Sequence, residues 1–139
     1  MNRRVLMILN HSLYKTGRYT QSEALKAAWK LIKNPLTISA KGVSFGKRQT
    51  ALQHLAHYPR HFILLDLIRE QNPFDENAVA VHVLVVGKGS YQVGYLPREL
   101  AQIIAPLLDR GVNIPAQFES VTGGRGYGNY GLRMKVRVA

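Results

Sequence analysis

The 139-residue sequence contains no cysteine, and this absence excludes several kinds of site. A thiol nucleophile, a disulfide framework and a zinc site built on thiolates all require cysteine. Long apolar runs are also missing: the run from Val5 to Leu9 is shorter than a secretory signal, and far below the roughly 20 residues of a membrane helix. We therefore expect a cytoplasmic protein, with nucleoid association as the alternative, and no membrane partner.

Acidic residues are scarce: 8 Asp and Glu stand against 19 Lys and Arg, a formal net charge of +11. Residues 1–60 carry 11 basic and 1 acidic side chains, residues 61–110 carry 4 and 6, and residues 111–139 carry 4 and 1. The basic excess therefore lies at the N-terminal end, as in proteins that bind nucleic acid. The chain is 46% hydrophobic, which is enough to build a folded core.

A helix is predicted over residues 21–33. Thr20 and Glu23 form a capping-box pattern, and apolar residues then recur at helical spacing until Asn34 and Pro35 end the helix. On the opposite side three lysines recur at similar spacing, and they form either a solvated face or a set of accessory phosphate contacts. They are Lys26, Lys30 and Lys33. Residues 1–14 fit a helix or a strand equally well.

From residue 36 onward the pattern favours β-structure. Gly87–Ser90 reads as a hairpin turn between two of the strands. Six strands are expected at about 36–45, 62–68, 78–86, 91–96, 114–121 and 132–138, with two short helices at about 48–57 and 97–111. The predicted fold is mainly β with short helices (α+β): a small six-stranded barrel of OB or SH3 type over 36–139, preceded by a basic helical extension over 1–35.

Two glycine-containing segments resemble phosphate-binding loops by letter only. Residues 126–131 match GxGxxG, but only eight residues follow and they read as a strand, whereas a dinucleotide site opens a helix within a βαβ unit. Residues 87–90 lack the first glycine of a Walker loop. We interpret 123–131 as a hairpin loop whose Arg125, Tyr127 and Tyr130 could clamp a nucleic-acid strand, with Arg125 as an accessory phosphate contact.

Metal chemistry has weak support. His54, His57 and His61 form HxxHxxxH, but Pro59 breaks the helix that would align them. We therefore predict no metal site, no cofactor and no catalytic residue.

Three carboxylates nevertheless leave an alternative open. Asp66 and Glu70 are spaced to share one face of a strand, and with Asp75 they could serve a small metal-dependent nuclease.

The most informative segment is the turn at residues 72–77. Asn72-Pro73 and Asp75-Glu76-Asn77 are turn formers, and between them they expose the apolar ring of Phe74 beside a carboxylate. An exposed aromatic ring next to fixed polar groups suits stacking on an unpaired base.

Three motifs together resemble the HIRAN domain family in order and spacing. They are GVSF at 42–45 followed by Arg48 and Gln49, EQNPFDENA at 70–78, and VGYLPRELA at 93–101. The resemblance covers about residues 36–139. It implies an OB-like or SH3-like barrel that binds DNA and, in members attached to fork-remodelling helicases, captures a free 3′ single-stranded end.

The resemblance also implies residue roles. Phe45 and Phe74 would stack on the terminal bases, and Asp75 would accept a hydrogen bond from the 3′-hydroxyl. The other implied contacts are Asn72 to a base or the loop, Tyr95 lining the pocket, Arg98 to a phosphate, and Ser44 and Arg48 in the same nucleic-acid site. Helicase-attached members commonly carry Tyr at the two Phe positions and a basic residue at the Ser44 position.

The leading hypothesis is a non-enzymatic module that binds single-stranded DNA at or near a free 3′ end, in repair or replication. A helicase or nuclease is the expected protein partner. The alternatives are the metal-dependent nuclease and a protein-binding adaptor that docks a partner through Trp29 and the apolar N-terminus.

Overall fold

The structure is a computed structural model that describes residues 3–124 and 128–138. Within these ranges the chain forms four α-helices and six β-strands. The helices are α1 Arg3–Lys15, α2 Gln21–Lys33, α3 Arg48–Leu55 and α4 Arg98–Asp109. The strands are β1 Leu36–Ser39, β2 Ile63–Arg69, β3 Val79–Val85, β4 Gly89–Tyr95, β5 Ala116–Thr122 and β6 Gly131–Val136.

The two N-terminal helices pack against each other, and α1 also packs against α4. α1, which the sequence left undecided, buries Val5, Leu9 and Leu13 in one row at four-residue spacing. α2 has the predicted bounds. Its capping box is present, because the Thr20 hydroxyl accepts from the Glu23 backbone N–H at 3.2 Å and the Thr20 N–H donates to the Glu23 carboxylate at 3.1 Å. These bonds lower the pKa of Glu23.

The strands form two three-stranded antiparallel sheets in the described residues, in the orders β1-β6-β5 and β2-β3-β4. The sheets meet where β2 packs against β5 and where Lys41 and Tyr95 form an isolated antiparallel bridge. The predicted α+β class with six strands and an N-terminal helical region is confirmed. Hydrogen bonding among the described strands does not close a single barrel; one bridge links the two sheets.

The predicted strand over 36–45 is wrong beyond Ser39. The chain makes the Lys41 bridge and then turns, because Gly42 and Gly46 both adopt positive φ angles, +69° and +57°. Ser44 and Phe45 consequently lie on an exposed turn between β1 and α3. α3 is also shorter than predicted, ending at Leu55.

One apolar core runs through the molecule and includes both N-terminal helices. Leu9 of α1 and Ala28 of α2 are as fully buried as Val81 of β3, Ile104 of α4 and Met134 of β6. Pro106 is accommodated inside α4. Among the described residues, no helix has both the length and the apolar character needed to cross a membrane.

Candidate nucleic-acid interface

The three motif segments come together on one side of the molecule. The bridge between Lys41 and Tyr95 has two hydrogen bonds, 2.7 Å from the Lys41 N–H and 2.8 Å from the Tyr95 N–H. It holds the turn at residues 42–47 beside the end of β4. The loop at residues 70–78 connects β2 to β3 and lies next to the start of α4, where Arg98 contacts it.

Gly94 permits the close approach at this bridge. A Cβ atom at this position would lie 2.5 Å from the Lys41 carbonyl oxygen, closer than real side chains come. The glycine in the third motif is therefore explained by backbone packing between the two sheets.

Arg48 connects the aromatic residues of the first and third motifs. Its guanidinium donates to the Gly42 carbonyl at 2.8 Å, and it lies 5.3 Å from the ring centre of Tyr95 and 5.9 Å from that of Phe45. Both distances are within the range of cation–π attraction. Phe45 is nevertheless 68% exposed, so much of this residue remains open to a ligand.

The Phe74 loop, residues 70–78, is fixed by its own side chains. The Asn72 side-chain oxygen accepts from the Phe74 N–H at 2.8 Å, and the Asp75 carboxylate accepts from the Asn77 N–H at 2.9 Å. Arg69 fastens the end of the loop by donating to the carbonyls of Ala78 and Glu76, at 2.7 and 2.9 Å. The ring of Phe74 projects from this rigid loop with 86% of its surface exposed.

Glu70 ties the Phe74 loop to β4. The Tyr95 hydroxyl donates to the Glu70 carboxylate at 2.6 Å, and the Asn72 amide makes a longer contact of 3.5 Å with the same oxygen. Sequence reasoning considered Glu70 only as a nuclease ligand and missed this positioning role. Its place at the head of the second motif was the available signal.

Arg98, at the start of α4, contacts the Phe74 loop. Its guanidinium donates to the Phe74 carbonyl at 3.1 Å and stays largely exposed. A chain of contacts thus runs from Phe45 through Arg48 and Tyr95 to the Phe74 loop and on to Arg98. The predicted site residues in this series of contacts are Phe45, Arg48, Asn72, Phe74, Tyr95 and Arg98. Asp75 lies in the same loop as Phe74, and Ser44 is exposed on the turn that carries Phe45.

The sequence model of the HIRAN domain matches residues 16–137, most of the chain. The chain belongs to the HIRAN domain family. This confirms the resemblance carried by the three motifs, and the HIRAN domain is a nucleic-acid-binding module. The match begins ahead of α2, so the domain boundary at residue 36 stays a prediction. Searches among curated proteins and solved structures gave no match.

The glycine-rich loop of this HIRAN protein is attached to the first motif. Gln49 donates to the carbonyls of Val43 and Tyr130, at 3.0 and 2.9 Å, and accepts from the Tyr130 N–H at 2.7 Å. The half-buried Tyr130 is thereby held beside the turn at residues 42–47. The clamp predicted from Arg125 and Tyr127 falls outside the described residues.

Within the described residues, the three lysines on α2 take no part in the contacts of this HIRAN site. Lys26, Lys30 and Lys33 are exposed, and Lys33 lies 5.3 Å from the Trp29 ring centre. In residues 3–124 and 128–138, none of them hydrogen-bonds to a residue of the aromatic site. Their role as accessory phosphate contacts stays a prediction.

The carboxylates of the nuclease alternative do not gather into a metal site. No group of three His, Asp or Glu side chains within the described residues is placed to hold a metal ion. Glu70 is bonded to Tyr95 and Asp75 to the Asn77 backbone, while Asp66 is exposed on β2. The contacts of Glu70 and Asp75 thus position the Phe74 loop.

Proposed function

We propose that this HIRAN protein binds single-stranded DNA at or near a free 3′ end, with Phe45 and Phe74 stacking on the terminal bases. The observation that carries the proposal is the exposure of these two rings. They are the most exposed large apolar side chains among the described residues, and both stand on turns held by hydrogen bonds. Stacking on bases would remove both rings from water without reordering the turns.

Asp75 supplies the acceptor for the 3′-hydroxyl. One carboxylate oxygen is bonded to the Asn77 N–H, which fixes the side chain, and the second has no hydrogen bond within the described residues. A hydroxyl can donate to that second oxygen, whereas a 3′-phosphate would bring like charge against it. The geometry therefore favours a strand that ends in a free hydroxyl.

Arg48 and Arg98 supply the basic surround. Each already donates to a backbone carbonyl, and each guanidinium has five N–H groups, so donors remain for phosphate oxygens. Arg48 lies beside the Phe45 ring and Arg98 beside the Phe74 loop, so a cation stands next to each stacking surface.

The test compares oligonucleotides that differ only at the end, a 3′-hydroxyl against a 3′-phosphate, by fluorescence anisotropy. We expect the hydroxyl end to bind about tenfold more tightly, since a hydrogen bond to a charged group contributes about 1.5–3 kcal/mol. Asp75→Asn is the matched variant: its amide oxygen can still accept from the Asn77 N–H, but the negative charge is gone, so the preference should shrink. Equal affinity of the wild-type protein for both ends would contradict the proposal.

We also propose that the protein holds the end without cutting it. Such a module would present the strand to a helicase or nuclease acting in DNA repair or replication. Incubating the same oligonucleotides with the protein and Mg²⁺ serves as the control, and they should stay intact.

A further inference from the structure

A polar cleft of about 580 Å³ lies beside the Phe74 loop. Its walls come from three parts of the chain: the end of α1 with the turn that follows it, residues 76–77 of the Phe74 loop, and α4. Helix α1 and the Phe74 loop thus border the same depression in the surface.

The charge of the cleft is positive. Lys15, Arg18 and Arg110 line it together with one carboxylate, Glu76, which gives a net charge of +2 with His11 neutral. The three cations form no ion pair within the described residues, so their charges are available to a ligand. All three residues are exposed, and cations grouped around one cleft attract polyanions more strongly than isolated surface charges do.

The cleft continues directly from the proposed 3′-end site along α4. Arg98 contacts the Phe74 carbonyl, and Gln102, Pro106 and Arg110 follow at four-residue spacing, all three lining the cleft. Residues four apart form one ridge on a helix. At a rise of 1.5 Å per residue, the ridge from Arg98 to Arg110 is about 18 Å long. It spans about five nucleotides at the 3.4 Å rise of a stacked strand.

We propose that this cleft binds the sugar-phosphate backbone of the strand upstream of its 3′ end, an inference that rests on the proposed function. The terminal bases occupy the aromatic site, and the preceding phosphates follow the α4 ridge to Lys15, Arg18 and Arg110. The basic excess of the N-terminal region therefore acts through the end of α1. The α2 lysines, which do not line the cleft, contribute little.

The experiment compares two triple variants that each remove three positive charges. The cleft variant is Lys15→Gln, Arg18→Gln and Arg110→Gln, and the matched control is Lys26→Gln, Lys30→Gln and Lys33→Gln on α2. Binding of a two-nucleotide and an eight-nucleotide thymidine strand, both with 3′-hydroxyl ends, is measured over a salt series. NMR titration serves for the short strand, anisotropy for the long one, and circular dichroism verifies that each variant is folded.

For the eight-nucleotide strand we expect the slope of log K against log salt to decrease in magnitude by about 2 in the cleft variant. Each lost phosphate contact contributes about 0.7 to the slope of a single strand, and the variant removes three cations. The slope should stay unchanged in the α2 variant. Affinity for the two-nucleotide strand should be the same in all three proteins, because it does not reach the cleft. Arg18→Gln alone, an exposed change in the turn after α1, should lower the slope by about 0.7 if the triple variant does not fold.

An unchanged slope in the cleft variants, or an equal fall in both triple variants, would overturn the inference. The proposed function is tested separately and with the wild-type protein alone. Equal affinity for two-nucleotide strands that end in a hydroxyl or in a phosphate would contradict the proposed function.

Discussion

At the scale of single residues, Phe74 is held by its backbone and not by its ring. Its N–H is bonded to Asn72 and its carbonyl to Arg98, while 86% of the residue is exposed. Phe74→Ala therefore removes the stacking surface and leaves the loop in place. We expect DNA affinity to fall by about 1–3 kcal/mol, roughly 5- to 150-fold in Kd, with little change in melting temperature.

Phe62→Ala is the matched control, since this ring is also partly exposed but lies outside the site. Anisotropy titrations of both variants against one single-stranded oligonucleotide make the comparison. An equal loss of affinity in the two variants, or none in Phe74→Ala, would place the binding site elsewhere.

The exposure of Phe74 could be predicted from its neighbours, because Asn72 and Asp75 form local turns whatever the rest of the chain does. The bond between Glu70 and Tyr95 could not. It joins residues 25 positions apart and depends on the register of three strands, in which β3 carries an irregularity between Val81 and His82. Apolar alternation indicates which face of a strand is buried, but it does not reveal an irregularity that shifts the register part-way along the strand.

At the scale of elements, the N-terminal cap of α2 gives a pH-dependent prediction. Hydrogen bonds with Thr20 lower the pKa of Glu23 in the folded protein. A lowered carboxyl pKa contributes stability above the unfolded-state pKa, and this contribution is lost as the pH falls through the folded-state value. On acidification below about pH 4.5, the melting temperature of the wild-type protein should therefore decrease more steeply than that of Glu23→Gln. The amide oxygen of this variant can still accept from the Thr20 N–H.

Melting curves of both proteins between about pH 3 and 7 make the measurement, and the difference between them isolates Glu23 because all other acidic residues are shared. A difference in melting temperature that stays constant across this range would contradict the assignment.

The elements differ in how far local pattern determines them. α2 was predictable from its capping box and apolar spacing, both of which lie within the helix. The sequence could not decide between helix and strand for α1, because the buried row of α1 is defined by its packing against α2 and α4. The strand over 36–45 was overextended, because apolar and β-branched residues continue past Ser39 while Gly42 and Gly46 turn the chain.

At the scale of the whole molecule, the N-terminal helices belong to the same core as the sheets. Leu9 of α1 is fully buried within that core, whereas Met7, two residues earlier on the same helix, is 61% exposed. Leu9→Ala should lower the free energy of unfolding by about 2–5 kcal/mol, because it leaves a cavity that its neighbours cannot fill. Met7→Ala, the control, should stay within about 0.5 kcal/mol of wild type.

Two probes of urea unfolding show whether the loss of stability in Leu9→Ala affects the whole chain. Fluorescence of Trp29, the one tryptophan in the sequence, reports on α2, and circular dichroism reports on all helices and strands. If helices and sheets unfold as one unit, both midpoints of Leu9→Ala shift together, as expected for a two-state domain. A shift confined to the Trp29 signal, with a second unshifted transition in circular dichroism, would instead mean that residues 1–35 unfold independently and that the boundary at residue 36 separates two folding units.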